Sequence, residues 1–253
     1  MTTLSFPGVS CMLLDIEGTT TSISFVHDVL FPYAAANLEA FLRSHPTDPN
    51  VIRHTNLLVE ECAAESAYPH APLGPSPSVE ELMQYIRFLM AADRKSPGLK
   101  GLQGQCWDAA YRSGLVKGHL FADVLPAFRR WSTSLPKGVA IYSSGSVPAQ
   151  RLLFGFSEEG DLTPYLVDYF DTGVGAKIHA SSYATITQRL DVSPGAILFA
   201  SDNPLELLAA HEAGLQAVLL DRPGNAPISS EMAARLEALH IGTVQSFAQI
   251  ELP

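Results

Sequence analysis

The stretch "LLDIEGTTTSI", residues 13 to 23, carries two carboxylates, Asp15 and Glu17, between an apolar run and a glycine followed by three threonines. The apolar run starts at Cys11, and a short run of this kind is typical of a parallel strand buried on both faces. Two positions apart on an extended chain, the acids lie on the same side, and Gly18 allows a sharp turn directly after them. One carboxylate can then act as a nucleophile while its neighbour transfers protons.

Further apolar runs follow much later in the chain: "GVAIYSS" (138 to 144), "GAILFASD" (195 to 202) and "QAVLLD" (216 to 221). A shorter strand is predicted at 168 to 171. Helices are predicted between these runs, at 147 to 154, 178 to 190, 204 to 213 and 229 to 240. Alternating strands and helices indicate an α/β fold with a doubly wound parallel sheet, which binds ligands beyond the carboxyl ends of its strands.

Residues 26 to 125 have a different pattern. Apolar residues there recur at helical spacing, as in "VEELMQYIRFLMAADRK" (79 to 95), and no strand-like run interrupts them. The segment is therefore predicted to be an all-helical domain inserted into the sheet domain. The sheet domain would consist of residues 1 to 25 and 126 to 253, and the helical domain of residues 26 to 125.

Composition narrows the possible partners. With 253 residues, of which 47% are hydrophobic, the chain is long and apolar enough for a folded core. Its net charge of −10 and its lack of a long basic block argue against nucleic acid as a partner. No apolar stretch approaches the roughly 20 residues of a membrane helix, and the N-terminal "MTTLSFPG" does not resemble a signal peptide. We therefore expect a cytoplasmic protein that does not bind membranes. We also expect it to be a monomer.

Polar side chains stand at the carboxyl ends of the predicted strands, where a parallel sheet brings distant residues together. They are Asp15 and Glu17 after the first strand, Ser143 and Ser144 after the second, and Asp202 after a later one. Lys177, in "GVGAK", precedes a predicted helix. Three clustered carboxylates need a cation to keep their charges, and hard oxygen ligands suit Mg²⁺ better than zinc. Lys177 and the serine hydroxyls would then contact an anionic group beside the metal.

Four segments together resemble the motifs of the haloacid dehalogenase (HAD) superfamily. "DIEGTT" is similar to its D-x-D-G-T motif, "IYSSGS" to its strand-end Ser/Thr motif, Lys177 to its motif lysine, and "ASDNPLE" to its final acidic motif. Glu17 departs from the superfamily, most members of which have Asp there. The resemblance implies a HAD-like doubly wound core with an inserted all-helical cap domain. Asp15 would form an aspartyl phosphate, and Glu17 would protonate the leaving oxygen and then activate water.

Because most members of the superfamily have Asp at the position of Glu17, the sequence resembles a smaller group within it. "LLDIEGTTTSISFVHDVLFPYA", "LKGLQGQCW", "LVKGHLFADV", "YSSGSVPAQRLLFG" and "RPGN" resemble segments of the enolase-phosphatases of methionine salvage, so the resemblance spans nearly the whole chain. That family enolises 2,3-diketo-5-methylthiopentyl 1-phosphate and removes its phosphate to give an acireductone. The resemblance implies that one Mg²⁺ is held by Asp15, Glu17 and Asp202, and that the substrate, a small phosphorylated diketone, is contacted by Ser143, Ser144 and Lys177.

Other interpretations stay open at this point. Asp15 and Glu17 alone would also fit a turn and helix cap after a strand, and Asp202 followed by Asn203 and Pro204 is a good helix start in its own right. A general HAD phosphatase for small phosphorylated metabolites, or a phosphonatase-like enzyme, would share the same fold. A non-catalytic protein that binds a phosphorylated ligand would keep the fold without the activity. Several residues are candidates for the enolisation base, and Glu17 is one of them.

Overall fold

The structure is a computed structural model, and it describes residues 3–252. The chain divides into two compact units. The first consists of Met1–His27 and Lys117–Pro253, and the second of Asp28–Val116.

The bounds of the second unit differ from those predicted for the helical insertion, because residues 26–27 and 117–125 belong to the first unit. Backbone hydrogen bonds tie the later of these two segments to the first unit. Phe121 N donates to Thr20 O (3.0 Å), and Gly118 N donates to Phe156 O (2.8 Å). Contacts of this kind leave no hydrophobic periodicity in the sequence, so the prediction did not detect them.

The strands along the described chain are β1 (Leu4–Ser5), β2 (Cys11–Leu14), β3 (Val139–Tyr142), β4 (Leu166–Phe170), β5 (Ile197–Ser201), β6 (Gln216–Leu220), β7 (Gly242–Val244) and β8 (Ile250–Glu251). Six of them form a parallel sheet in the order β4-β3-β2-β5-β6-β7, and β1 pairs with β8 in a small parallel sheet. The chain runs outward from β2 to β3 and β4 and then returns to β5 on the other side of β2. The strand order thus reverses between β2 and β5, which is where a doubly wound sheet binds its ligands.

The helices in chain order are α1 (Phe31–Ser44), α2 (Pro49–Ala64), α3 (Val79–Ala91), α4 (Pro97–Arg112), α5 (Val124–Ser134), α6 (Val147–Gly155), α7 (Ala180–Leu190), α8 (Pro204–Glu212) and α9 (Ser230–Ala238). A π-helical segment, Phe25–Leu30, precedes α1. Short 3₁₀ turns occur at Thr163–Tyr165, Thr172–Val174, Pro194–Ala196 and Phe247–Gln249.

The α/β fold class predicted from the sequence is confirmed. The central strands β2, β3 and β5 are buried at every position, which is why they are continuous apolar runs in the sequence. All the predicted strands and helices of the first unit exist, with ends that differ by a few residues. The prediction missed the edge strand β7 and the pair β1 and β8, because two or three residues are too few to show a period.

The second unit, within residues 28–116, contains α1 to α4, whose apolar faces form a core of their own. Three of these helices begin at strong capping residues. Asp48 caps α2, Ser78 forms a capping box with Glu81 at the start of α3, and Ser96 caps α4. Across residues 3–252, no helix is long and apolar enough to cross a membrane.

Gly98 lets α4 pack closely against α2. A Cβ at this position would lie 2.7 Å from Leu58 Cγ and 3.0 Å from His54 O, which is a backbone atom that cannot easily move. We expect Gly98→Ala to lower the free energy of unfolding by about 1–3 kcal/mol through overpacking. Gly104, on the same helix, has open space at the Cβ position, so Gly104→Ala should stabilise by about 0.5–1 kcal/mol. Urea denaturation of both variants checks this, and equal stability of the two would contradict it.

Candidate active site

Asp15 stands directly after β2, at the carboxyl edge of the sheet. Its backbone N–H donates to Ala200 O (3.0 Å), which extends the pairing of β2 with β5. Its side chain is buried, with the whole residue only 6% exposed. Oδ1 accepts a hydrogen bond from Ile16 N (2.7 Å), and Ser201 Oγ lies 3.2 Å from Oδ2. The ends of two neighbouring strands therefore hold this carboxylate in one orientation.

The loop after Asp15 is wound around a single carbonyl group. The N–H groups of the three threonines, residues 19–21, all donate to Ile16 O at distances of 2.9 to 3.2 Å. Gly18 has a φ of +66°, and a Cβ there would lie 2.4 Å from Asp202 Oδ2. Only glycine combines this left-handed conformation with such a close approach. The loop thus passes directly against the carboxylate that follows β5.

Lys177, just before α7, is a buried lysine between two carboxylates. Its Nζ lies 2.6 Å from Asp15 Oδ1 and 2.6 Å from Glu206 Oε2. The rings of Tyr142 and Phe199 lie 5.7 and 6.0 Å from the ammonium group. Burial lowers the pKa of Lys177, but the two carboxylates more than offset this, so its pKa lies above the ordinary value. The lysine therefore remains a cation at neutral pH.

Asp202 and Glu206 lie where β5 leads into α8. Asn203 caps the helix, and its side-chain amide lies 3.2 Å from Glu206 Oε1. Ser201 Oγ lies 3.0 Å from Glu206 Oε2, so its one hydrogen can serve either Glu206 or Asp15. Burial and the charge of Asp15 raise the pKa of Glu206, and burial with the charges of Asp15 and Glu206 raises the pKa of Asp202 to about 7. The acids repel one another.

Glu17 follows Asp15 by two positions and is half-buried. Its side chain lines the same cavity as Asp15. Burial and the charge of Asp15 raise the pKa of Glu17, while His27 and Lys177 partly lower it. A carboxyl group with a raised pKa holds its proton more readily and is suited to give it to a leaving group.

The two predicted serines follow β3 and differ in their surroundings. Ser144 is exposed and lines the cavity. Ser143 is buried, its N–H donates to Phe170 O (3.1 Å), and its Oγ accepts a hydrogen bond from Gly145 N (3.2 Å). Among the predicted site residues, Ser143 does not line the cavity within the described part of the chain, and its hydroxyl helps to shape the turn that presents Ser144.

A cavity of about 580 Å³ lies at this edge of the first unit. Its charged lining consists of Asp15, Glu17, Asp202, Glu206 and Lys177, and His27 also lines it. Its apolar lining consists of Ile23, Pro204, Ala226, Pro227, Ile228 and Met232. The cavity can therefore bind a ligand that has both a charged group and an apolar part.

The residues present fit a hard divalent cation. The cavity has four carboxylates against one lysine. Within residues 3–252, no group of three or more His, Cys, Asp or Glu side chains is placed to hold a metal ion. A site here would thus need a ligand besides carboxylates, such as the backbone carbonyl of Glu17. Oxygen donors of this kind suit Mg²⁺.

Glu206 is a charged residue of the cavity that was not predicted from the sequence. It lies in the first turn of α8, four positions after Asp202, and contacts both Lys177 and Ser201. An acid in the first turn of a helix is commonly a favourable partner of the helix dipole, so its sequence position alone did not distinguish a site residue. Its burial next to a lysine is visible only in the structure.

Solved structures of other proteins share this fold. The fold is shared with the 2-haloacid dehalogenase from Pseudomonas syringae pv. tomato, with a TM-score of 0.55 at 14% identity over 95% of this chain and 96% of that one. The crystal structure of the UTR4 protein from Saccharomyces cerevisiae aligns with a TM-score of 0.74 at 34% identity, over 94% of this chain and 98% of that one. The fold is therefore that of the haloacid dehalogenases, with the strand-end acids and their lysine at its ligand-binding edge.

Comparison with curated sequences shows the family to which the chain belongs. An enolase-phosphatase E1 from Synechococcus elongatus is 50% identical over 220 residues, which are 87% of this chain and 92% of that one. An enolase-phosphatase E1 from Drosophila ananassae is 42% identical over 247 residues, which are 96% of this chain and 95% of that one. No family model matches the chain. At this identity over nearly the full length, the chain belongs to the enolase-phosphatase E1 family.

Proposed function

We propose that the chain is the enolase-phosphatase that converts 2,3-diketo-5-methylthiopentyl 1-phosphate into the acireductone 1,2-dihydroxy-3-keto-5-methylthiopentene in methionine salvage. Membership of the enolase-phosphatase E1 family supports this, and the alternative of a general HAD phosphatase is not favoured. The main structural support for this chemistry is that Asp15, Glu17, Lys177 and Asp202 line the same cavity. An organic phosphate fits there only with a cation beside the carboxylates.

Asp15 is the proposed nucleophile. Ile16 N and Lys177 Nζ both hold Oδ1, so the carboxylate is fixed before a substrate arrives. In-line attack on phosphorus forms an aspartyl phosphate and releases the alkoxide of the substrate. Lys177 is positioned to neutralise charge on the transferring phosphoryl group, since it already lies 2.6 Å from the attacking carboxylate.

Mg²⁺ is the proposed cofactor, with one ion per chain held by the carboxylates of Asp15 and Asp202 and by the backbone carbonyl of Glu17. The ion would supply positive charge beside the phosphate oxygens. Ser144 is the proposed substrate contact from β3, and Ser143 would contribute through the turn that it stabilises. The monomeric state and the cytoplasmic location predicted from the sequence remain predictions.

Glu17 is the proposed general acid and base. With a raised pKa it would protonate the leaving oxygen, and as a carboxylate it would then activate the water that hydrolyses the aspartyl phosphate. It is also a candidate for the base that removes the proton next to the carbonyl group during enolisation.

We expect Glu17→Gln to lower kcat/KM for the diketo phosphate by roughly 10²–10⁴-fold, because an alkoxide leaves poorly without a proton. The p-nitrophenolate anion leaves without one, so phosphoryl transfer from p-nitrophenyl phosphate should be much less affected. Stopped-flow absorbance should then show a burst of p-nitrophenolate followed by slow turnover. Glu212→Gln, at an exposed glutamate of the same unit, serves as the control. Equal losses on both substrates would contradict the role of Glu17 as acid.

The proposed function is tested with the diketo phosphate itself in the presence of Mg²⁺. The absorbance of the enolised product and the release of inorganic phosphate are followed in one reaction, and EDTA should stop phosphate release. Phosphate release without the absorbance of the acireductone would indicate a general phosphatase. Absence of both signals from a folded protein would contradict the proposal.

A further inference from the structure

Arg222 is a buried arginine next to the loop that carries Glu17. It has no role in the proposed reaction mechanism. It follows β6 and is 5% exposed. Its Nε donates to Thr19 O (3.1 Å), and its Nη1 lies 3.0 and 2.9 Å from the two carboxylate oxygens of Asp123. Nη1 also donates to Gln245 O (3.1 Å). One side chain thus joins the loop after β2 to the residue before α5 and to the segment after β7.

Asp123 and two aromatic rings fix the guanidinium group. Asp123 Oδ2 accepts hydrogen bonds from Ser246 Oγ (2.8 Å) and Phe247 N (2.6 Å). The guanidinium carbon lies 4.5 Å from the ring centre of Phe121 and 4.8 Å from that of Phe247. A buried charge is costly unless it is paired and hydrogen-bonded. Here Nε and Nη1 are hydrogen-bonded and Asp123 pairs the charge, while Nη2 is buried without a hydrogen-bond partner among the described residues. The group can therefore act as a fixed support for the loop.

Asn225 supports the same loop one residue earlier. Its Nδ2 donates to Gly18 O (2.9 Å) and to Leu220 O (3.0 Å). Because both partners are carbonyl groups, only the nitrogen of the amide can face them. The carbonyls of two consecutive residues, Gly18 and Thr19, are thus held by side chains from the turn formed by residues 222–225.

We propose that this turn, residues 222–225, positions Glu17 for its proton transfers, with Arg222 as the main positioning residue. The inference rests on the proposed function. The amides of residues 19–21 bond to Ile16 O, and the carbonyls of Gly18 and Thr19 accept hydrogen bonds from Asn225 and Arg222, respectively. Among the described residues that line the cavity, neither Arg222 nor Asn225 occurs. Their effect on catalysis must pass through the loop.

Arg222→Lys is the first test, because lysine keeps the positive charge but cannot donate to Thr19 and to Asp123 in the same fixed geometry. We expect kcat for the diketo phosphate to fall roughly 10–100-fold with little change in KM. Arg130→Lys is the matched control. Arg130 donates to Phe247 O (3.1 Å), so it touches the same cluster but not the loop after β2. It should leave kcat unchanged.

A double-mutant cycle with Glu17→Gln distinguishes positioning from a loss of stability. If Arg222 acts by positioning the side chain of Glu17, Arg222→Lys should lower kcat/KM only slightly in the Glu17→Gln background. A loss of the same factor in both backgrounds would overturn the inference. If Glu17→Gln alone has no effect, the proposed function of Glu17 fails, and this outcome is distinct from an additive cycle.

If Arg222→Lys does not fold, the inference can be tested with Asn225→Ala instead. Asn225→Ala removes the contact with Gly18 O and leaves the buried ion pair of Arg222 with Asp123 in place. It should also lower kcat in the Glu17 enzyme and have little effect in the Glu17→Gln background. Equal losses in the two backgrounds would overturn the inference.

Discussion

Asp15→Asn should abolish phosphate release from the diketo phosphate, with a loss of roughly 10⁴-fold or more. An amide is a poor nucleophile toward phosphorus, and within residues 3–252 no other carboxylate accepts hydrogen bonds from both Ile16 N and Lys177 Nζ. The fold should survive, because asparagine has nearly the same shape and Lys177 keeps its contact with Glu206. Steady-state release of phosphate and a thermal unfolding curve check the two expectations together.

The control for this prediction is another acid at the same edge of the sheet. Asp221 directly follows β6, as Asp15 follows β2, but it is exposed and is not among the described residues that line the cavity. Asp221→Asn should therefore retain full activity. Substantial activity in a folded Asp15→Asn variant would show that another group attacks phosphorus.

Lys177→Met should have the second largest effect, because it removes the cation between two buried carboxylates. We expect the free energy of unfolding to fall by about 3–5 kcal/mol, since Asp15 and Glu206 are left buried without their partner. Activity should fall roughly 10³-fold with the loss of charge beside the phosphoryl group. Lys137→Met removes an exposed lysine that pairs with Asp191, and it should change stability by no more than about 0.5 kcal/mol.

Adding Glu206→Gln to Lys177→Met separates the two roles of the lysine. The double variant no longer buries the charge of Glu206 next to that of Asp15, so much of the lost stability should return. Activity should stay low, because the cation is still missing. Urea denaturation and phosphate release measure the two effects, and recovery of activity in the double variant would contradict a direct role for Lys177.

The central sheet could be predicted from the sequence because its strands are buried on both faces. A fully buried strand such as β5 must be a continuous apolar run, and the helices between such runs have their own period. The edge strand β7 and the pair β1 and β8 were missed, since their pairing depends on short contacts between distant segments. The bounds of the helical insertion were displaced for a related reason, because residues 117–125 are held by backbone hydrogen bonds.

The candidate site was predictable where a residue ends a strand. Asp15 and Asp202 both follow buried strands that are neighbours in the sheet, so their approach follows from the topology. Glu206, Arg222 and Asn225 were not assigned roles, because a first-turn acid and a polar turn residue are common for structural reasons alone. Their part in the site depends on burial and on hydrogen bonds to particular atoms, which a sequence does not display.

Whether Asp15 receives the phosphoryl group can be tested by trapping the intermediate during turnover of the diketo phosphate with Mg²⁺. Borohydride reduces an aspartyl phosphate to homoserine and releases phosphate, and tandem mass spectrometry then locates the modified residue. We predict homoserine at position 15, formed only when substrate and Mg²⁺ are both present. Modification of a lysine instead, as in a Schiff-base mechanism, or of another carboxylate, would contradict the account.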